Sequence, residues 1–298
     1  MAALRIIQED LGEVVLIDKL PGLAQGKAYD LEDARSLLKY NYKISGTDDI
    51  SQIRDSDIIV VTAGLPRKPG MSREDLISIN ADILKDISLS IKKLSPQAII
   101  IVVTNPLDLM TYLTLRLTGF SPAKVFGMGV TLDASRFADL IAKELNIPNT
   151  DVETMVIGSH GEGMLPLPRL TKIKGVALDK FLDKALVAEL AKQTIERGAK
   201  IVSLLGSGSA YFAPSAAISD LAKAVAKDEK RVLGVSSYLS GEYGVSDICI
   251  GVPCRIGKQG IEKIISLELN REEHDAFVRS CESIRNNIAL LKPHISVS

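Results

Sequence analysis

The sequence predicts an α/β fold: a doubly wound parallel sheet in the first half of the chain, followed by a second unit of α+β type. Three observations carry this reading. Apolar segments at 14–17, 57–62 and 98–103 lack polar alternation, as strands buried on both faces do. Helical segments alternate with them, which implies parallel strands covered on both sides. Past Phe126 the grammar changes, and several strands cluster before a last helix.

The elements follow in order. Leu4, Ile7 and Leu11 recur at helical spacing and stop at Gly12, so the chain opens inside a helix. The strand V-V-L-I-D ends in an acid, Asp18, and a helix starts near Pro21, where the missing N–H costs nothing. A short strand is expected at 42–45, a buried one at 57–62, and a long helix at 72–94 with Leu76, Ile83, Leu84, Ile87, Ile91 and Leu94 on one face. Another continuous apolar strand covers 98–103, and no element is assigned between 104 and 126. The second half reads as a helix carrying Phe137, Leu140, Ile141 and Leu145, a strand at 152–157, and helical stretches at 179–205 and 213–226. Strands at 232–239, 247–253 and 264–269 precede an amphipathic helix with Phe277, Cys281, Ile284, Ile288 and Leu291. The expected domains are 1–127 and 128–298.

Composition narrows the function. At 298 residues, 46% hydrophobic and 24% charged, the chain can fill two cores. Lysine plus arginine (36) balance aspartate plus glutamate (37), so neither nucleic acid nor an anionic membrane is expected as main partner. No apolar run approaches a membrane span, and the N-terminus turns charged too soon for a secretory signal. The cysteines, Cys249, Cys254 and Cys281, form no C-x-x-C, which fits a reducing cytosol; no metal site is expected.

In a doubly wound sheet ligands lie beyond the carboxyl ends of the strands, where Asp18, Thr62 to Gly64 and Thr104 to Pro106 fall. The stretch V-V-T-A-G-L-P-R-K-P-G-M-S-R at 60–73 joins a strand to a small-residue turn and a loop with two arginines, Arg67 and Arg73. It suits a phosphate and an anionic substrate. Of the histidines, His274 and His294 are expected on the solvated surface. His160 differs, since it sits in G-S-H-G-E-G directly after an apolar strand. In L-D-A-S-R-F, Asp133 and Arg136 are three apart on a helix, so they either form a simple intrahelical ion pair or offer a carboxylate and a guanidinium to one cavity.

Taken together, V-L-I-D, V-T-A-G-L-P-R-K-P-G-M-S-R, V-T-N-P-L-D, L-D-A-S-R-F and G-S-H-G closely resemble, in order and spacing, the lactate and malate dehydrogenase family. The resemblance implies a Rossmann domain joined to an α/β substrate domain, NAD as hydride carrier, a 2-hydroxy acid substrate and a homodimer or homotetramer. It implies His160 as proton donor, Asp133 as the carboxylate fixing its tautomer, Arg136 as the clamp on the substrate carboxylate, and Arg73 as the group polarising the carbonyl. Asn105 would help to orient that carbonyl. Asp18 would bind the adenosine ribose, and Thr62, Ala63, Gly64, Asn80, Val103 and Asn105 would line the cofactor, with Gly64 leaving room for the pyrophosphate. At Arg67 the malate-specific members carry arginine and the lactate-specific ones usually glutamine. A second substrate carboxylate needs that cation, whereas pyruvate would leave it buried and unpaired, so discrimination on the order of a thousandfold is expected.

The family opens with a strand and a G-x-G-x-x-G turn, and neither is found here. Roughly fifteen to twenty residues of the opening βαβ unit are expected to be missing, including a strand between those ending at Asp18 and Thr62. Two readings follow: a working protein that extends upstream of Met1, or a short chain with weakened cofactor binding, acting as a non-catalytic paralogue or oligomer partner. Ser159 and Glu162 also depart from the residues usual around the histidine. No G-x-S-x-G or G-x-x-x-x-G-K-[ST] motif supports a hydrolase or P-loop reading.

Overall fold

A computed structural model describes residues 1–66 and 71–295. Helix α1 (Ala2–Gln8) leads to β1 (Val14–Ile17), α2 (Leu23–Asp33), the short α3 (Arg35–Leu38) and β2 (Ile44–Thr47). Next come β3 (Ile58–Val61), α4 (Arg73–Leu94), β4 (Ile99–Val102), α5 (Leu107–Thr118), β5 (Val125–Gly127) and α6 (Val130–Leu145). Five short strands follow: β6 (Val152–Glu153), β7 (Val156–Gly158), β8 (Met164–Pro166), β9 (Lys172–Ile173) and β10 (Val176–Ala177). Helices α7 (Lys184–Leu205) and α8 (Phe212–Ala226), strands β11 (Arg231–Ser240), β12 (Ser246–Gly257) and β13 (Gly260–Ile264), then α9 (Arg271–Ile288) and α10 (Lys292–Ile295) complete the order.

The apolar strands I-I-V-V and I-I-I-V pair in parallel as β3 and β4, with Ile58 opposite Ile99, and β4 pairs in parallel with β5. From β5 the sheet continues antiparallel through β11, β12, β7 and β8, with β13 also on β12. Gly127 permits the join: a Cβ there would lie 2.5 Å from Thr111 Oγ1 and 3.0 Å from Ser236 Cβ. The fold class is therefore the expected one, a parallel α/β half followed by an α+β half.

Strands β1 and β2 form a separate parallel pair. Neither β1 on its free side nor β3 on its outer side pairs with another strand among the described residues. This gap falls where a strand was expected between the segments ending at Asp18 and Thr62. The small pair has its own core of Ile7, Ala28, Tyr40 and Ile44. Helix α2 lies against β2 so closely that a Cβ on Gly46 would sit 2.1 Å from the Ala24 carbonyl oxygen. Helix α1 fastens this region to α8 through Arg5 Nε donating to Ser215 Oγ (3.1 Å) and Glu9 pairing with Lys223 Nζ (3.2 Å).

Helix α4 begins where expected, because Ser72 caps it: Ser72 Oγ accepts the Asp75 N–H and Asp75 Oδ2 accepts the Ser72 N–H. Helix α5 was not expected. It is buried on nearly every side, so it has no apolar stripe to mark it. Its threonines return their hydroxyls to carbonyls four residues back, Thr111 to Leu107 and Thr114 to Met110, both at 2.8 Å.

Several boundaries move. The second strand is Ile44–Thr47 rather than 42–45, and 152–157 divides into β6 and β7. The strand expected at 264–269 lies at Gly260–Ile264, paired to β12. The long helix starts at Lys184 because Asp183 caps it, accepting the Leu186 N–H at 2.9 Å. His294 is not a solvated tail residue: it is 9% exposed, and its Nδ1 lies 2.9 Å from Asp82 Oδ1 on α4. Helix α10 lies against α4 and α5, which draws it in. No helix among the described residues is long and apolar enough to cross a membrane.

Candidate active site

Strand β7 ends at Gly158, whose φ of 89° turns the chain into the histidine loop. The loop folds tightly on itself: a Cβ at Gly158 would lie 2.5 Å from the Gly163 carbonyl oxygen, and one at Gly163 would lie 2.2 Å from Ser159 Oγ. Ser280 on α9 holds both sides, accepting the Ser159 N–H (2.9 Å) and donating to the Gly163 carbonyl (2.8 Å). At the tip, the His160 backbone N–H donates to Asp108 Oδ2 at 2.8 Å.

The His160 ring meets α6. Its Nδ1 lies 2.7 Å from Asp133 Oδ2, while Asp133 Oδ1 accepts from an Arg136 terminal nitrogen at 3.0 Å. Asp133 is fully buried, whereas the side chains of His160 and Arg136 keep 15% and 12% exposure. One carboxylate thus orients a histidine and a guanidinium together, and the simple intrahelical ion pair is only half of its role. With Nδ1 engaged, His160 Nε2 has no protein partner among the described residues and is free to exchange a proton with a ligand. Burial acts to lower the His160 pKa, but the charge and hydrogen bond of Asp133, aided by Asp108, outweigh it and leave the pKa raised. Arg136 passes beside Gly198 of α7: a Cβ there would lie 3.4 Å from one terminal guanidinium nitrogen and 3.6 Å from the other.

The other expected residues lie at the carboxyl ends of the parallel strands. Asp18 follows β1 and accepts the Leu20 N–H on Oδ1 (3.0 Å). Thr62, Ala63 and Gly64 form an exposed irregular segment after β3, and Val103 and Asn105 follow β4. Asn80, buried on α4, braces these two ends: its Oδ1 accepts the Leu65 N–H (2.7 Å), and its Nδ2 donates to the carbonyls of Asn105 (2.7 Å) and Leu65 (3.2 Å). Thr104 Oγ1 adds a bond to the Ala63 carbonyl (2.7 Å). Glycine at 64 is required by this brace, since a Cβ would lie 2.6 Å from Thr104 Cγ2 and 3.2 Å from Asn80 Oδ1.

Arg73 is the first residue of α4, is exposed, and makes no hydrogen bond or ion pair among the described residues. Arg67, together with Gly70, lies outside the described residues. Sequence reasoning did not single out Asp108, Ser280 or Gly198. Asp108 stood within V-T-N-P-L-D, but its partner is a backbone group on a distant loop. Among the described residues no group of three or more His, Cys, Asp or Glu is placed to hold a metal ion.

A nicotinamide dinucleotide suits this donor set. A carboxylate follows β1, an exposed segment follows β3, and His160 keeps Nε2 without a protein partner among the described residues, which leaves donors and acceptors for ribose hydroxyls, phosphates and a reacting carbonyl. Residues 1–127 match the lactate/malate dehydrogenase NAD-binding domain, and residues 130–294 match the α/β C-terminal domain of the same family. A malate dehydrogenase of Methanosarcina barkeri is 47% identical over 97% of this chain and 94% of its own length. The apo malate dehydrogenase of Picrophilus torridus superposes with a TM-score of 0.96 at 38% identity, over 99% of this chain and 94% of that one. A lactate dehydrogenase of Cryptosporidium parvum, complexed with lactic acid and nicotinamide adenine dinucleotide, gives 0.94 at 35% identity over 98% and 93%. Matches across both domains, joined to the His160–Asp133–Arg136 array, place the chain in the lactate/malate dehydrogenase family.

Proposed function

We propose that this chain is an NAD-dependent malate dehydrogenase, interconverting malate and oxaloacetate. The observation that carries the chemistry is the array in which Asp133 spends one oxygen on His160 Nδ1 and the other on Arg136. NAD, when bound, supplies and receives the hydride. The reading assigns residues 1–127 to cofactor binding and 128–298 to the substrate and proton transfer.

In this reading His160 holds a proton on Nε2 and gives it to the carbonyl oxygen of oxaloacetate, then recovers it from the malate hydroxyl in reverse. Asp133 keeps Nδ1 as the donor to itself, so that Nε2 faces the substrate. Arg136 uses the guanidinium nitrogens not committed to Asp133 to grip the carboxylate next to the reacting carbon. Arg73, exposed at the start of α4, polarises the carbonyl, and Asn105 orients it. Asp18 hydrogen-bonds the adenosine ribose and disfavours a 2′-phosphate, while Thr62 to Gly64, Asn80 and Val103 border the cofactor. The raised His160 pKa sets the pH behaviour: oxaloacetate reduction needs the protonated ring and declines as pH rises through that pKa, whereas malate oxidation needs the neutral ring and gains over the same interval.

Arg67 selects the dicarboxylate by pairing with the second carboxylate. The relatives named malate dehydrogenase support this choice, whereas the likeness to a lactate dehydrogenase shows that the fold alone does not make it. Turnover of oxaloacetate against pyruvate, measured with NADH in the wild type and in Arg67→Gln, tests it. Oxaloacetate is expected to be preferred on the order of a thousandfold, with the variant moving toward pyruvate; a wild type that prefers pyruvate sinks the assignment.

The exposed apolar side chains before and on α2 (Leu20, Leu23, Tyr29) and around the junction of α7 and α8 (Leu204, Tyr211, Phe212) support a homodimer or homotetramer. Sedimentation equilibrium giving a monomer at micromolar concentration would refute that assembly.

A further inference from the structure

Asn80 lies on α4 with 1% of its surface exposed, and its amide is fully committed. Oδ1 accepts the Leu65 N–H at 2.7 Å, while Nδ2 donates to the Asn105 carbonyl at 2.7 Å and to the Leu65 carbonyl at 3.2 Å. An amide nitrogen carries two hydrogens, and here both go to backbone oxygens, so no donor is left for a bound cofactor. The opposite orientation of the amide fails, since it would set an oxygen against two carbonyls and an NH2 group against an N–H. These bonds join the segment after β3 to the segment after β4, and the Thr104 hydroxyl, 2.7 Å from the Ala63 carbonyl, closes the same join. Arg73 stands seven residues before Asn80 on α4, about two turns away on the same face. One helix face therefore carries the group assigned to polarise the carbonyl and the amide that holds the residue orienting it.

We propose that Asn80 is a positioning residue: it holds the cofactor-side backbone at Leu65 and the substrate-side backbone at Asn105 at one fixed separation, and it gives no hydrogen bond to the cofactor. This rests on the reading of Asn105 as the group that orients the carbonyl. Hydride transfer needs its two reactants in one narrow geometry, and a misplacement of about 1 Å can cost about a hundredfold in rate. The strands alone do not secure that geometry, because Leu65 and Asn105 lie beyond the last residues paired between β3 and β4, Val61 and Val102. Both are exposed, so packing does not fix them either. A carboxylate at position 80 would match the amide in shape but not in hydrogen-bonding pattern. The oxygen in place of Nδ2 would face the carbonyls of Leu65 and Asn105 and repel both.

The test is Asn80→Asp, with NADH affinity read by fluorescence titration and turnover by steady-state kinetics with oxaloacetate. At saturating NADH, kcat is expected to fall by about tenfold to a hundredfold while NADH affinity stays unchanged. The introduced carboxyl is buried against two carbonyl oxygens, which raises its pKa. Protonation returns one donor, so the ratio of variant to wild-type turnover should climb as pH falls; a ratio that does not climb overturns the proposal. So does a loss of NADH affinity with kcat retained, which makes Asn80 a cofactor ligand, and so do kinetics that match the wild type. Should the variant fail to fold, the wild-type protein decides. Its Leu65 amide lies outside any strand and should exchange slowly because Asn80 Oδ1 holds it, whereas exchange at the rate of an open peptide overturns the proposal. Full kcat in Asn105→Ala would instead sink the reading of Asn105 itself. Loss of kcat there, with kcat kept in Asn80→Asp, sinks only the role of Asn80.

Discussion

Asp18 and His160 both follow the end of a strand, yet their surroundings differ sharply. His160 sits on the large sheet, with its ring held by Asp133, its backbone by Asp108, and its loop by Ser280 on both sides. Asp18 ends a strand paired on one side only, and its side chain holds just the Leu20 N–H two residues on. The small sheet rests on its own core of Ile7, Ala28, Tyr40 and Ile44 and on the α1 to α8 contacts. The histidine loop is therefore preorganised by distant parts of the chain, whereas the strand end proposed to bind the ribose rests on a small unit with two open strand edges. The first should tolerate little change at its centre; the second should loosen as a block.

The largest expected effect falls on the rigid side. His160→Asn should lower kcat for oxaloacetate by about a hundredfold to ten-thousandfold, the range for a lost general acid, and leave NADH affinity by fluorescence titration unchanged. A comparable loss of NADH affinity would mean that the two regions are not separable.

Gly46→Ala acts on the other side. Its Cβ would collide with the Ala24 carbonyl and lift α2 from β2, a backbone clash that the nearby side chains cannot absorb. Overpacking of this kind costs about 1–3 kcal/mol. Hydrogen exchange should accelerate in β1, β2 and α2 while the amides of β11 and β12 keep their protection. Uniform acceleration throughout the chain would refute the two-unit picture.

The smallest effect probes the connection between them. Ser72→Ala removes the cap of α4, worth about 1 kcal/mol, and loosens the turn that carries Arg73. KM for oxaloacetate should rise a few-fold with kcat nearly constant. A fall in kcat at unchanged KM would show that Arg73 contributes only once the transition state forms.

The legible features were those with local causes. Strands β3 and β4 announced themselves as short apolar runs, and α4 by its capping serine and repeating face. His160, Asp133 and Arg136 stood out through residue type and spacing, and the structure brings the three together. Helix α5 did not stand out, because burial on nearly every side erases the periodicity that identifies a helix. His294 seemed a tail residue, since nothing near it in sequence reveals the packing of α10 on α4. Asn80 was expected to line the cofactor; what the structure shows is its amide bracing the backbones at Leu65 and Asn105, which no motif discloses.

By itself the sequence determined which chemical groups end the strands and start the helices, because propensity, capping and apolar pattern act over a few residues. Only the tertiary structure decided how those groups are held. Asp108 reaches His160 across 52 positions, Ser280 reaches Ser159 across 121, and Ser236 reaches Asp108 across 128. Each of these bonds forms between buried or half-buried groups that must find partners somewhere, and the packed sheet, not the local sequence, sets which partner is within reach.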